Sequence, residues 1–268
     1  MNWIYRQIFY RACQNLFIAL CVVITSGTAL RAATPETPYK IIKVLPHNKQ
    51  LFTQGLEVKA GILYESAGRY GHSTINKISL ATGAISQQLK LDDALFAEGL
   101  THINNSLILL TWKSETALRL DTQDFKIMGS HRYTGEGWGI CYDGTSLVTS
   151  NGSDQLTFRN PDDFRITRTL TIMFDDQPLA LINELECTQG LIYANIWGQD
   201  IIVIIDPSNG KVVSFIDLFD LYDLTARNHN EVLNGIAYSP SDDAFWVTGK
   251  NWSQLYLIKL TSGVRTSP

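Results

Sequence analysis

Residues 96–101 read FAEGLT, which places a carboxylate, Glu98, directly before a glycine at the start of an apolar strand. A related arrangement recurs as FTQGLE around Gln54, GEGWGIC around Trp138, INELEC around Glu184 and VLNGIA around Asn234. These five marker positions lie 44, 40, 46 and 50 residues apart. Self-similarity at a period of this size is the mark of a repeat architecture.

Between the markers the chain reads as short strands separated by turn signals. Residues 54–93 offer QGLEV, ILYESA, STINKISL and AISQQLKL, broken at KAG, GRYGH and ATG. The next three units repeat that plan, and the fifth ends one strand short. The missing strand is available at the other end as YKIIKVL, residues 39–45. Four antiparallel strands per unit of this length make a β-propeller blade. Lending an N-terminal strand to the last blade closes the ring without an open edge. A β-sandwich does not account for five copies, and a solenoid needs capping units. The expectation is an all-β, five-bladed propeller over residues 34–268, with DLFDLYDL (residues 217–224) the one candidate for a turn or two of helix.

Residues 1–33 belong to a different category. Arg6 and Arg11 precede the apolar run LFIALCVVI, and TSGTA follows it. This is the order of a secretory signal, with cleavage near Ala29 or Ala33. The run is short for a membrane span. An exported protein, periplasmic or secreted, is therefore expected, with no stable membrane insertion after cleavage. The whole chain carries a formal charge of −4, so nothing advertises a nucleic-acid partner. Cys141 and Cys187 remain after the leader, each three residues past a marker. An oxidising compartment permits their pairing, but equivalent places on neighbouring repeats can lie beyond the Cα separation of about 7 Å that a disulfide tolerates. Their state stays open at this point.

In a propeller the first strand of each blade lines the channel, so the five markers converge on one rim. The ends of the second strands should carry Glu65, Trp112 with Lys113, Asn151, Trp197, and Lys250 with Asn251 to the same place. Polar groups inside an aromatic wall make a small-ligand pocket. Enclosed by Trp112, Trp138 and Trp197, the Glu98 carboxyl loses solvation, and its pKa rises toward the range useful for proton transfer. Lys250 and the amide of Asn183 are placed to polarise a carbonyl oxygen. That set suggests acyl chemistry without a protein nucleophile. The five histidines show no paired metal-ligand spacing, and neither a GxSxG elbow nor a dinucleotide fingerprint occurs.

The stretches FTQGL, FAEGLT, LTWK, GEGWGICYDG, SNGSD, INELEC, YANIWGQD, LNGIAY and WVTGKNW run in order from residue 52 to about 252. Together they resemble the plant-type glutaminyl-peptide cyclotransferases, also called glutamine cyclotransferases, a family that bacteria also carry. The resemblance implies a five-bladed propeller that converts N-terminal glutamine of peptides and proteins to pyroglutamate with release of ammonia, without metal or cofactor; a monomer is expected. It places the acid–base glutamate on Glu98 and the amide-binding asparagine and lysine on Asn183 and Lys250. The enclosing tryptophans fall on Trp112, Trp138 and Trp197, and a rim glutamine on Gln54. Two rival readings differ in class: a non-catalytic propeller that binds a peptide terminus or sugar, and a metal-dependent propeller hydrolase.

Overall fold

A computed structural model describes residues 33–222 and 228–261. The expected leader, apart from Ala33, lies outside the described residues. After β1 (Tyr39–Pro46) the chain builds five four-stranded antiparallel sheets in sequence order. The first holds β2 (Thr53–Lys59), β3 (Ile62–Ala67), β4 (Thr74–Ser79) and β5 (Ile85–Lys90). The second holds β6 (Ala97–Ile103), β7 (Ser106–Thr111), β8 (Thr116–Asp121) and β9 (Ile127–Arg132). In the third are β10 (Ile140–Tyr142), β11 (Leu147–Thr149), β12 (Gln155–Arg159) and β13 (Ile166–Thr171). A two-stranded hairpin, β14 (Met173–Phe174) and β15 (Gln177–Pro178), turns through Asp175 and Asp176, both in the left-handed region. The fourth sheet holds β16 (Ile182–Thr188), β17 (Leu191–Ile196), β18 (Ile201–Ile205) and β19 (Val212–Asp217). The fifth holds β20 (Leu233–Ser239), β21 (Ala244–Gly249) and β22 (Gln254–Leu260).

The fifth sheet is completed by β1, which pairs antiparallel with β22 as the outermost strand. The innermost strands β2, β6, β10, β16 and β20 touch in succession, and β20 returns to β2. Five apolar clusters fill the five seams so formed. Leu56 and Leu63 of the first blade, for example, pack with Trp246 and Leu257 of the fifth. The Leu100 and Leu107 side chains pack with Ile75 and Tyr64 across the next seam. Burial of such side chains stabilises by roughly 1.5–3 kcal/mol each, and no blade has a core of its own without a neighbour. The five-bladed ring expected from the repeat is what forms. Over the described part of residues 217–224 no helix forms: Asp217 ends β19 and the chain then turns through Leu221, while residues 223 and 224 lie outside the described residues. Phe219 N donates to the Asp217 carboxylate, a local bond that favours a turn over a helix.

Cys141 on β10 and Cys187 on β16 form a disulfide between the third and fourth blades, with Cα atoms 5.4 Å apart. They are not equivalent positions. Leu185, not Glu186, pairs in β16 as Leu100 does in β6. The repeat in the fourth blade therefore runs one residue earlier than INELEC suggests, with Asn183 at the marker position and Glu184 at the place of the glycine. That one-residue offset removes the objection based on equivalence.

Below the rim the channel holds three carboxyl groups from facing strands. Glu184 accepts from Leu56 N (3.3 Å) and Ile236 N (2.8 Å), tying the fourth blade to the first and fifth. Glu186 accepts from Tyr238 N, while Glu57 accepts from the Thr101 hydroxyl and His102 N. Burial, and for Glu184 and Glu186 also charge repulsion within the group, holds both well above the usual carboxylate range. Burial lifts Glu57 to about 7. A carboxyl raised on folding binds protons more tightly in the folded state, so its contribution is present below the unfolded value and fades as pH rises toward the folded one. For Glu57 that window runs from 4.5 to about 7. The Glu57→Gln variant should flatten the fall of stability across this window, measured by denaturant unfolding at a series of pH values. An unchanged slope would show that Glu57 does not titrate there.

Candidate active site

At one rim each innermost strand carries the same irregularity. Register shifts fall between Thr53 and Gly55, Ala97 and Leu100, Ile182 and Leu185, and Leu233 and Ile236. In the third blade Trp138 N donates to Ser150 O and Ser150 N to Gly139 O, so one residue again spans two. A bulge of this kind bends its strand and re-aims one side chain. Here it turns Gln54, Glu98, Trp138, Asn183 and Asn234 toward a common mouth. The following glycine has a separate reason. A β-carbon on Gly99 would lie 2.7 Å from Trp138 O and Ile140 N, and one on Gly139 would lie 2.1 Å from Asn183 O. Adjacent strands thus meet backbone to backbone at this point.

Hydrogen bonds then run round the rim from blade to blade. Asn183 Nδ2 donates to Asn234 Oδ1 (2.8 Å), and Asn234 Nδ2 donates to the carbonyls of Thr53 (3.0 Å) and Gln54 (3.2 Å). Gln54 Nε2 donates to Glu98 Oε1 (3.1 Å). That bond leaves Gln54 Oε1 buried with no hydrogen-bond partner. An orphaned buried acceptor costs free energy unless something donates to it, and it lies beside the carboxyl group of the site.

Glu98 and Lys250 are both buried. Desolvation raises Glu98 well above the usual carboxylate value, helped by Glu136 and opposed by the charge of Lys250. The same burial lowers Lys250 to about 8, although Glu98 favours its charged form. No direct ion pair within 4 Å joins them among the described residues. The Lys250 ammonium stands 4.8 Å from the centroid of the Phe52 ring.

Trp112, Trp197 and Lys250 reach the rim as expected; Glu65 does not, and no equivalent bond marks Asn151 among the described residues. Backbone N–H groups of Gly68, Trp112, Trp197 and Lys250 donate to Phe52, Phe96, Leu181 and Val232 respectively, marking four equivalent places. In the first blade that place belongs to Gly68, and Phe96 fills the space a side chain there would need. Glu65 is not at the rim. It lies buried in β3, bonded to His47 and the Thr53 hydroxyl, where it anchors the chain leaving β1. Trp112 packs in a group of tilted rings with Phe96 (5.4 Å) and Tyr70 (6.5 Å). Trp197 is half exposed and makes no ring contact with Trp112 or Trp138 among the described residues.

Glu136 carries no pattern signal of its own, although it sits two residues before Trp138 in GEGWG. Its Oε2 accepts from both indoles, Trp112 Nε1 at 2.7 Å and Trp138 Nε1 at 3.0 Å. Its Oε1 lies 3.5 Å from Lys113 Nζ, which in turn stands 4.0 Å over the Trp112 ring. Partial burial works against its charge, but the two indole bonds and Lys113 hold its pKa below the usual range. One ionised carboxylate thus fixes two tryptophans from different blades. Among the described residues no three His, Cys, Asp or Glu side chains are grouped to hold a metal ion.

A five-bladed propeller with a buried carboxyl, a buried amine and side-chain amides at one aromatic mouth has the makings of a small-ligand pocket at its rim. The glutamine cyclotransferase family profile matches residues 15–260. A glutaminyl-peptide cyclotransferase of Arabidopsis thaliana is 33% identical over 242 residues, 88% of this chain and 75% of its own length. The crystal structure of Myxococcus xanthus glutaminyl cyclase superposes with a TM-score of 0.77 at 38% identity, covering 83% of this chain and 96% of that one. The chain belongs to the glutamine cyclotransferase family.

Replacing Glu136 with alanine should free both indoles. Charge-assisted hydrogen bonds contribute roughly 1.5–3 kcal/mol each, so turnover should fall about tenfold or more while acrylamide quenching of tryptophan fluorescence increases. Unaltered quenching would show that packing alone holds the two rings.

Proposed function

We propose that this protein cyclises N-terminal glutamine of peptides and proteins, releasing ammonia and leaving pyroglutamate. Family membership supports the reaction. The observation that carries the mechanism is the buried Glu98 carboxyl, which accepts from Gln54 Nε2 and so leaves Gln54 Oε1 unpartnered, with buried Lys250 acting on it electrostatically.

The substrate supplies its own nucleophile. Its neutral α-amine attacks the γ-carboxamide carbon, closing a five-membered lactam, and the amide nitrogen leaves as ammonia. Because attack is intramolecular, holding the near-attack conformer is most of the task, and effective molarities reach about 10⁵ M or more. Trp112, Trp138 and Trp197 enclose the side chain, the first two held by Glu136. Gln54 Oε1 accepts an N–H of the bound substrate, which satisfies its orphaned lone pairs. Glu98, with proton affinity raised by burial, takes the proton lost by the amine and delivers it to the departing nitrogen. Lys250 and the second amide hydrogen of Asn183 stabilise the carbonyl oxygen as it gains charge. Every step uses groups of the chain and the substrate, so turnover should survive a chelator. The protein would act as an exported monomer.

Glu98→Gln should reduce kcat by about 10²–10⁴-fold, the usual worth of general acid–base catalysis. Ammonia release from a glutaminyl peptide, with mass spectrometry of the product, measures it; near-normal turnover in a folded variant would sink the assignment. The pH profile provides a second test. The substrate amine, with a pKa of about 7.7–8, sets an acidic limb, and loss of charge on Lys250 near 8 sets an alkaline one. In Lys250→Arg, whose guanidinium stays charged, that alkaline limb should vanish from kcat/KM even if the rate is lower.

A further inference from the structure

A cavity of about 270 Å³ opens along the seam between the second and third blades. Its lining includes Glu136, Tyr133, Thr149, Thr157, Arg159 and Phe164. Arg159, at the end of β12, folds back along the blade so that its Nε donates to the Thr149 hydroxyl at 3.2 Å. Its Nη1 donates to Phe164 O at 3.2 Å, and the guanidinium lies 4.8 Å from the Phe164 ring centroid. Two of its five N–H donors are thereby used and the others are left to the cavity. No carboxylate stands within 4 Å of it among the described residues. A guanidinium that is partly buried without a counter-charge is an expensive arrangement unless an anion arrives from outside.

The cavity adjoins the site. Glu136 borders both, with one carboxylate oxygen occupied by the two indoles. Tyr133 lines the cavity as well; burial raises its hydroxyl pKa, with Glu98 adding to the rise and Arg159 opposing it. The Tyr133 hydroxyl donates to Thr111 O, so it does not consume the donors of Arg159. This cavity offers one route outward for a peptide whose first residue lies in the tryptophan mouth.

We propose that this cavity is a subsite in which Arg159 binds a side-chain carboxylate of the peptide downstream of its N-terminal glutamine. The inference rests on the cyclase reading for its substrate, but the site is defined by the cavity and the free donors. Arg matches a carboxylate with a planar fork, and such bonds are stronger than neutral ones. The threonine-rich lining supplies hydroxyls that adapt to either carboxylate oxygen.

The test uses C-terminally amidated glutaminyl peptides, so that no terminal carboxylate competes. A glutamate is walked through the second to fourth positions, each compared with glutamine at the same place. At one position the acidic peptide should have kcat/KM about tenfold higher, consistent with one charged hydrogen-bonded pair. Arg159→Gln should bring that ratio close to one, and Arg159→Lys should restore part of it. Because Arg159 also packs on Phe164, Thr169→Glu offers an independent check: it sets a carboxylate at the exposed cavity edge and should abolish the preference with Arg159 intact. The ratio is internal to each variant, so a loss of folded protein does not mimic the result. No acidic preference at any position, or a preference that survives Arg159→Gln, would overturn the subsite. Calorimetric binding of the corresponding pyroglutamyl peptides separates the two readings: acid-dependent binding with no cyclisation would retain the subsite and discard the reaction, whereas cyclisation without acid-dependent binding would do the opposite.

Discussion

Adjacent innermost strands approach so closely at one rim that three of the five leave no room for a β-carbon, and the rest of the site depends on that contact. At Gly55, Gly99 and Gly139 the nearest atoms are backbone atoms of the next blade. A bulge accompanies this approach and recurs in the fourth blade, where Glu184 takes the place of the glycine, and it turns the preceding side chain into the channel mouth. The same local geometry therefore delivers a glutamine, a glutamate, a tryptophan and two asparagines to one small volume. What differs between blades is chemistry; what is shared is placement.

Placement by five separate strands also explains why the charges are altered. Glu98 and Lys250 come from different blades and are covered by aromatic rings and by the polar belt that runs from Asn183 through Asn234 and Gln54. Among the described residues neither has a direct ionic partner, and desolvation is the largest influence on both, pushing the acid up and the amine down. Both move toward neutrality, where proton transfer is most efficient. Pairing them closely would have cancelled this effect by favouring the charged forms.

Stability and function divide along the channel. Below the rim, Glu184 spends both oxygens on backbone amides of other blades, and the Cys141–Cys187 link joins two innermost strands. These hold the ring closed while the mouth remains available for ligand. Between blades, the seams are apolar and filled, except where the second and third leave the cavity around Arg159.

The blade plan was legible in the chain because a strand has period two and a propeller repeats it four times per unit. The markers, the lent strand β1 and the candidate residues Glu98, Lys250, Asn183 and Gln54 could be located this way, by pattern and resemblance. Residue periodicity does not resolve a one-residue frame, so it points to Glu184 where the blade places Asn183, and it makes the two cysteines look equivalent. It also points to Glu65 at the rim, because strand ends cannot be counted across an unseen turn. The role of Glu136 was hidden because its partners, Trp112 and Trp138, belong to different blades. The sequence by itself determined which residue types recur and where strands begin and end. Only the tertiary structure decided which of them meet, because contacts around a closed ring join positions some 40 to 180 residues apart, and local pattern contains no record of that distance.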